Sequence, residues 1–86
     1  MSKKVCLIIG GGRGMGAATA RQMHSRDYAL ALMSPTESCE KLAVELGGIA
    51  QRGRAESASD LNSVFDLTMA KYGRIDSVLI HVSGPP

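Results

Sequence analysis

The sequence has no long hydrophobic run. None of its apolar stretches approaches the about 20 residues that a membrane span needs. The opening MSKKVCLII offers a basic pair and then only five apolar residues, shorter than the core of a signal peptide. No membrane partner and a cytoplasmic location are therefore expected. Excess charge is also lacking: ten Lys and Arg are set against eight Asp and Glu, for a net +2 spread along the chain. That balance argues against nucleic acid or an anionic surface as a partner. Cysteine is scarce. Cys6 and Cys39 are the only two, and both fall on faces expected to be buried, where they read as small core hydrophobes. The two histidines and two cysteines have no metal-ligand spacing, and Ser83 has no recognisable base partner, so a hydrolase has no support. There is no repeat and no low-complexity tract.

What is present is glycine, concentrated in one place. Five of the seven residues from Gly10 to Gly16 are glycine. They follow a short continuous apolar run, Val5 to Ile9, of the kind that forms a strand buried on both faces. Met15 to about Arg26 reads as a helix whose small residues Ala17, Ala18 and Ala20 allow close packing on a sheet. Tyr28 to Met33 reads as a second buried strand. Ser34-Pro35-Thr36-Glu37 has the signals of a helix start, with Ser34 as cap, Pro35 at the first helical position and Glu37 completing a capping box. Cys39, Leu42, Ala43 and Leu46 then share one helical face, and Gly47-Gly48 ends the helix. Ile49 to about Gly53 is a short third strand. Ser57 or Ser59 caps a third helix with an apolar face of Leu61, Val64, Phe65, Thr68 and Tyr72, ended by Gly73. Val78 to Val82 is a fourth strand.

The order β-α-β-α-β-α-β requires parallel strands with right-handed crossovers and helices on both faces. The expected architecture is a three-layer α/β half of the Rossmann type, with a parallel sheet of about four strands in the order 3-2-1-4. In that setting the glycines read as a phosphate-binding turn. Free backbone N–H groups and the positive end of a helix dipole converge there, and missing side chains let a pyrophosphate approach the backbone. Two registers fit: Gly10-x-x-x-Gly14-x-Gly16, and Gly12-x-Gly14-x-x-Ala17, the general dinucleotide fingerprint with alanine last. The nucleoside-triphosphatase loop does not fit, because no Lys-Ser/Thr pair follows.

Gly10-x-x-x-Gly14-Met15-Gly16 resembles the cofactor motif of the short-chain dehydrogenase/reductase family, Thr-Gly-x-x-x-Gly-Ile-Gly. Tyr72-Gly73-Arg74-Ile75-Asp76 resembles the family's Phe-Gly-Arg-Leu-Asp approach to the fourth strand. His81-Val82-Ser83-Gly84, or Ile80-His81-Val82-Ser83 in a gap-free register, stands where the family has Asn-Asn-Ala-Gly. The resemblance covers the N-terminal, cofactor-binding half of such proteins, so residues 1–86 are expected to be a single, incomplete dinucleotide-binding domain. It implies a nicotinamide dinucleotide as ligand, and a small carbonyl or alcohol substrate only where the chain continues. The family's catalytic Ser and Tyr-x-x-x-Lys are absent: Tyr28 is followed four residues on by Leu32, and Tyr72 by Asp76. The departures are Ile9 for the family's threonine, the loss of both asparagines, and Arg54 where the family often has an Asp near the adenine, followed by Ala55.

The cofactor-binding residues expected are Gly10, Gly12, Arg13, Gly14, Met15, Gly16, Ser34, Arg54, Ala55 and His81. His24 is expected to be exposed. An NAD binder generally places a carboxylate about 20 residues after the glycines, on the ribose 2′-hydroxyl. Here that position is Ser34 or its neighbours, with no acid before Glu37. Arg13 resembles the basic residue of NADP-preferring members and can pair with a phosphate in bidentate fashion. NADP is thus the preferred expectation over NAD. The alternatives are a stand-alone nucleotide-binding module and a non-catalytic remnant. The fourth strand is expected to leave an open apolar edge, on which a homo-oligomer would pair.

Overall fold

The computed structural model describes residues 3–10 and 14–81. The elements alternate along the chain: β1 (Val5–Ile9), α1 (Gly14–Ser25), β2 (Ala29–Ser34), α2 (Ser38–Leu46), β3 (Ile49–Arg52), α3 (Ala58–Tyr72) and β4 (Ser77–Ile80). The four strands form one sheet in the expected order β3-β2-β1-β4, and all of them run parallel, as the crossover argument requires. No helix among the described residues is long and apolar enough to cross a membrane.

β1 is central, and all five of its residues are buried. Its alternate side chains feed two separate cores. Cys6 and Ile8 join Leu30 and Leu32 of β2 under Ala17 and Ala20 of α1 and Cys39, Leu42 and Ala43 of α2. Leu7 and Ile9 point to the opposite face with Ala31 and Met33, where α3 supplies Val64, flanked by Leu61 and Phe65. Helices therefore cover both faces. Full burial of each large aliphatic side chain on β1 contributes roughly 1.5–3 kcal/mol, which makes this strand the axis of the fold. Gly16, Ala17 and Ala20 are the buried residues of α1; their small size lets the helix lie close to β1.

The caps locate the helix ends. Ser57 accepts a hydrogen bond from the Asp60 N–H at 3.2 Å and starts α3. Gly47 and Gly73 close α2 and α3 in the left-handed conformation that glycine adopts most readily. The start of α2 differs from the expectation. Ser34 is not its cap, Pro35 is not its first residue, and Glu37 makes no side-chain capping bond: the helix begins at Ser38, with Glu37 at the cap position. Ser34 instead completes β2 in register with Arg52 of β3, and its hydroxyl donates to the Thr36 carbonyl at 3.0 Å. The ladder to β3 carries the strand one residue further than the capping signals imply. The face of α2 survives this shift, with Cys39, Leu42 and Ala43 all buried.

Asp76 clasps the entrance of β4 to that of β1. Its backbone N–H donates to the Val5 carbonyl at 2.9 Å, and one carboxylate oxygen accepts from the Val5 N–H at 2.7 Å. Arg74 adds two further bonds to the same carboxylate. The Arg74 guanidinium, and after it the Val5 N–H, holds the Asp76 carboxyl below its ordinary value of 3.8. A carboxyl that is more acidic in the folded than in the unfolded chain stabilises fully above the unfolded value, and that contribution is lost as pH falls through the folded one. Stability should therefore drop as pH falls below the ordinary carboxyl value of 3.8, and Asp76→Asn should drop less steeply while being less stable at neutral pH. Denaturant unfolding at a series of pH values checks this. Parallel pH profiles for the two proteins would contradict it.

Candidate functional site

The carboxyl end of β1 lies between β2 and β4, where the strand order turns back on itself. In open α/β sheets the crevice at such a switch point is where ligands bind. Gly10 leaves β1 there. Its N–H donates to the Met33 carbonyl at 2.6 Å, and its φ of +86° is one that side chains rarely adopt. A side chain is also excluded by space: a Cβ at Gly10 would run into the main-chain oxygen of His81. His81 is held in place by its own N–H, which donates to the Ile9 carbonyl at 2.8 Å. The end of β4 therefore presses on the first glycine of the turn.

Gly14 opens α1 with φ +64°, and among the described residues none outside its own helix lies within 4 Å of where its Cβ would be. Met15 beside it is exposed, while Gly16 is buried. The first turn of α1 holds no acidic residue, so no fixed negative charge opposes an anion at the positive end of the helix dipole. These features fit a dinucleotide pyrophosphate: a bare backbone at Gly14, a helix start free of acid, and a turn forced by Gly10. Gly12 and Arg13 lie outside the described residues, as do Val82, Ser83 and Gly84.

The other expected residues sit along the carboxyl edge of the same sheet. Ser34 ends β2 and is buried, its hydroxyl engaged by the Thr36 carbonyl. Next to it the Thr36 and Ser38 hydroxyls bond each other at 2.9 Å. The nearest acid in sequence, Glu37, is exposed and paired with Lys41 at 3.4 Å. Arg54 and Ala55 follow β3. The Arg54 guanidinium is turned to Glu56 at 2.8 Å and is exposed, and that bond holds the Glu56 carboxyl below its ordinary range. Ala55 is half-buried against the core on the α3 side. The sheet thus brings Gly10, Gly14, Gly16 and His81 together at one end of β1, with Ser34 one strand away and Arg54 and Ala55 two strands away.

One residue that the sequence reading passed over is Asp60, in the first turn of α3. Its carboxylate accepts from the Arg54 N–H at 2.9 Å, and its carbonyl accepts from the Gln51 side chain. The only signal in the sequence is its place three residues after the Ser57 cap, which does not foretell that the side chain reaches back to β3.

The architecture is that of half of a doubly wound α/β sheet. Residues 4–85 match the family model described as short chain dehydrogenase, and the chain belongs to that family of oxidoreductases. It is 34% identical over 84 residues to the 3-oxoacyl-[acyl-carrier-protein] reductase of Rattus norvegicus, covering 94% of this chain and 35% of that protein. It is 37% identical over 87 residues to the D-threitol dehydrogenase of Mycolicibacterium smegmatis, of which it covers 33%. Among solved structures, the alcohol dehydrogenase of Thermococcus sibiricus, in complex with 5-hydroxy-NADP, is 30% identical with a TM-score of 0.76, over 90% of this chain and 36% of that one. The chain spans about a third of the length of the relatives it matches.

Proposed function

We propose that this chain is the cofactor-binding part of a short-chain oxidoreductase, a single incomplete dinucleotide-binding domain that holds NADP(H). The observation that carries the reading is the glycine turn at the switch point, with Gly10 locked at positive φ and no described residue outside the helix within 4 Å of a Cβ on Gly14, at an acid-free helix start. The Thermococcus sibiricus relative, solved with an NADP derivative, supports a nicotinamide dinucleotide as the ligand. When bound, that cofactor supplies or accepts a hydride. The residues of this chain bind and orient it: backbone N–H groups of the turn and of the first turn of α1 hold the pyrophosphate, and His81 lines the crevice at the end of β4. Neither tyrosine is followed four residues on by lysine, so the proton chemistry on a carbonyl or alcohol substrate belongs to residues outside these 86.

The preference for NADP over NAD rests on the end of β2. Ser34 stands where a carboxylate would repel a 2′-phosphate, and the Glu37 carboxylate is paired with Lys41. Arg13 supplies the positive charge. A charge-assisted hydrogen bond contributes about 1.5–3 kcal/mol. Arg13→Ala should therefore weaken NADPH binding by about tenfold or more and leave NADH binding unchanged. Calorimetric titration of both chains with both cofactors tests this. Equal losses for the two cofactors would assign Arg13 to the pyrophosphate instead, and an unaltered NADPH affinity would remove it from the site.

A further inference from the structure

We infer that His81 couples dinucleotide binding to protonation: its imidazole takes up a proton from solvent as the pyrophosphate seats at the end of β1. This inference rests on the dinucleotide reading above. The position of His81 is fixed from two sides. Its N–H donates to the Ile9 carbonyl at 2.8 Å, which extends the ladder between β1 and β4 by one residue. Its main chain presses on Gly10, and a Cβ on that glycine would stand 3.5 Å from the Cβ of His81. Side chains alternate across a strand. Leu79 packs on the core beneath α1 and α2, whereas Val78 and Ile80 stand beside Leu7 and Ile9, which face α3. Two residues beyond Leu79, His81 belongs to the α1 face of the sheet, at the end where α1 begins. It shares that face and that end with the acid-free helix start proposed to hold the pyrophosphate.

His81 is half-buried, and the charged groups described around this end of the sheet are fixed or engaged elsewhere. Ile9 and Gly10 of β1 and Met33 and Ser34 of β2 carry no charge. α1 has no charged residue before Arg21, which is paired with Glu45. β4 has none, and Asp76 ahead of it is held by Arg74 and the Val5 N–H. Glu37 is paired with Lys41. On the α3 side, Glu56 and Asp60 are both turned to Arg54. The Arg13 guanidinium keeps its charge throughout the neutral range. Histidine is the side chain whose ordinary titration falls between about pH 5 and pH 8. An imidazolium donates a charge-assisted hydrogen bond to a phosphate oxygen, stronger than that of the neutral ring. The bound anion therefore favours the protonated form. Affinity is highest at low pH, and the gain is lost as pH rises.

The probe is NADH, which carries the pyrophosphate without a 2′-phosphate that would itself titrate. Calorimetric titration of the wild type should show affinity falling about tenfold from about pH 6 to pH 8, the worth of one hydrogen bond to a charged group. His81→Gln keeps a polar N–H and cannot take up a proton. Its profile should be flat, whereas a merely structural role would lower affinity equally at every pH. Proton magnetic resonance supplies a second readout, because the chain has two histidines. The His81 ring resonance, identified by its absence from the variant, should titrate at higher pH once NADH is bound. That of His24, exposed in the last turn of α1, should not move. A flat wild-type profile, a slope that survives in His81→Gln, or a His81 resonance unmoved by bound NADH would overturn the inference and leave the dinucleotide site standing. Failure of the folded wild type to bind NADH or NADPH at any pH would instead remove the dinucleotide reading, and the inference with it.

Discussion

Gly10→Ala should destabilise the chain by about 3 kcal/mol. A non-glycine residue held at positive φ costs about 1–3 kcal/mol, and Gly10 sits at +86°. Forcing extra atoms into a packed position costs typically a further 1–3 kcal/mol. Here the new methyl group meets the main-chain oxygen of His81. It cannot be relieved locally, because the His81 N–H is bonded to the Ile9 carbonyl and the Gly10 N–H to the Met33 carbonyl. Relief requires opening the ladder between β1 and β4. The loss should appear as a lower urea midpoint at unchanged slope. A midpoint within about 0.5 kcal/mol of wild type, the range of ordinary surface substitutions, would mean that the turn is not built as described.

Gly14→Val should separate binding from folding. Among the described residues none outside the helix lies within 4 Å of the Gly14 Cβ position, so the main cost to the fold is the strain of φ +64°, about 1–3 kcal/mol. The two methyl groups of valine project into the space where the pyrophosphate would approach the backbone. Losing two charge-assisted hydrogen bonds at about 1.5 kcal/mol each weakens binding by about 100-fold or more. Titration with NADPH under conditions where circular dichroism shows the variant folded measures this directly. Affinity within a few fold of wild type would exclude Gly14 from the phosphate site. Both glycines hold positive φ, but only at Gly10 would a Cβ meet the protein's own backbone; on the proposed reading, one at Gly14 meets the ligand.

Much of this was legible in the sequence because local signals and global order agree. The apolar run at Val5 to Ile9, the small residues of α1, the glycines that end α2 and α3, and the alternation of strand and helix each point to the same three-layer sheet, and the strand order 3-2-1-4 is the one that goes with the family resemblance. In the candidate site, Gly10 was legible because a glycine after an apolar strand marks a backbone need, which its positive φ and the nearby His81 oxygen supply. The site was less legible where two uses compete for one residue. Ser34 carries every mark of a helix cap, yet the ladder to Arg52 takes it into β2. Asp60 and Asp76 are ordinary acids in sequence. Their roles come from contacts made to Arg54 by a helix and to Val5 from 71 residues away, and no periodicity encodes such contacts.

The most direct measurement of the central claim is a calorimetric titration of the folded 86-residue chain with NADPH, repeated with Gly14→Val. The account predicts saturable binding at one nucleotide per chain, lost in the variant. A chain that is folded by circular dichroism yet takes up no NADPH, or one whose binding survives the valine, would contradict it.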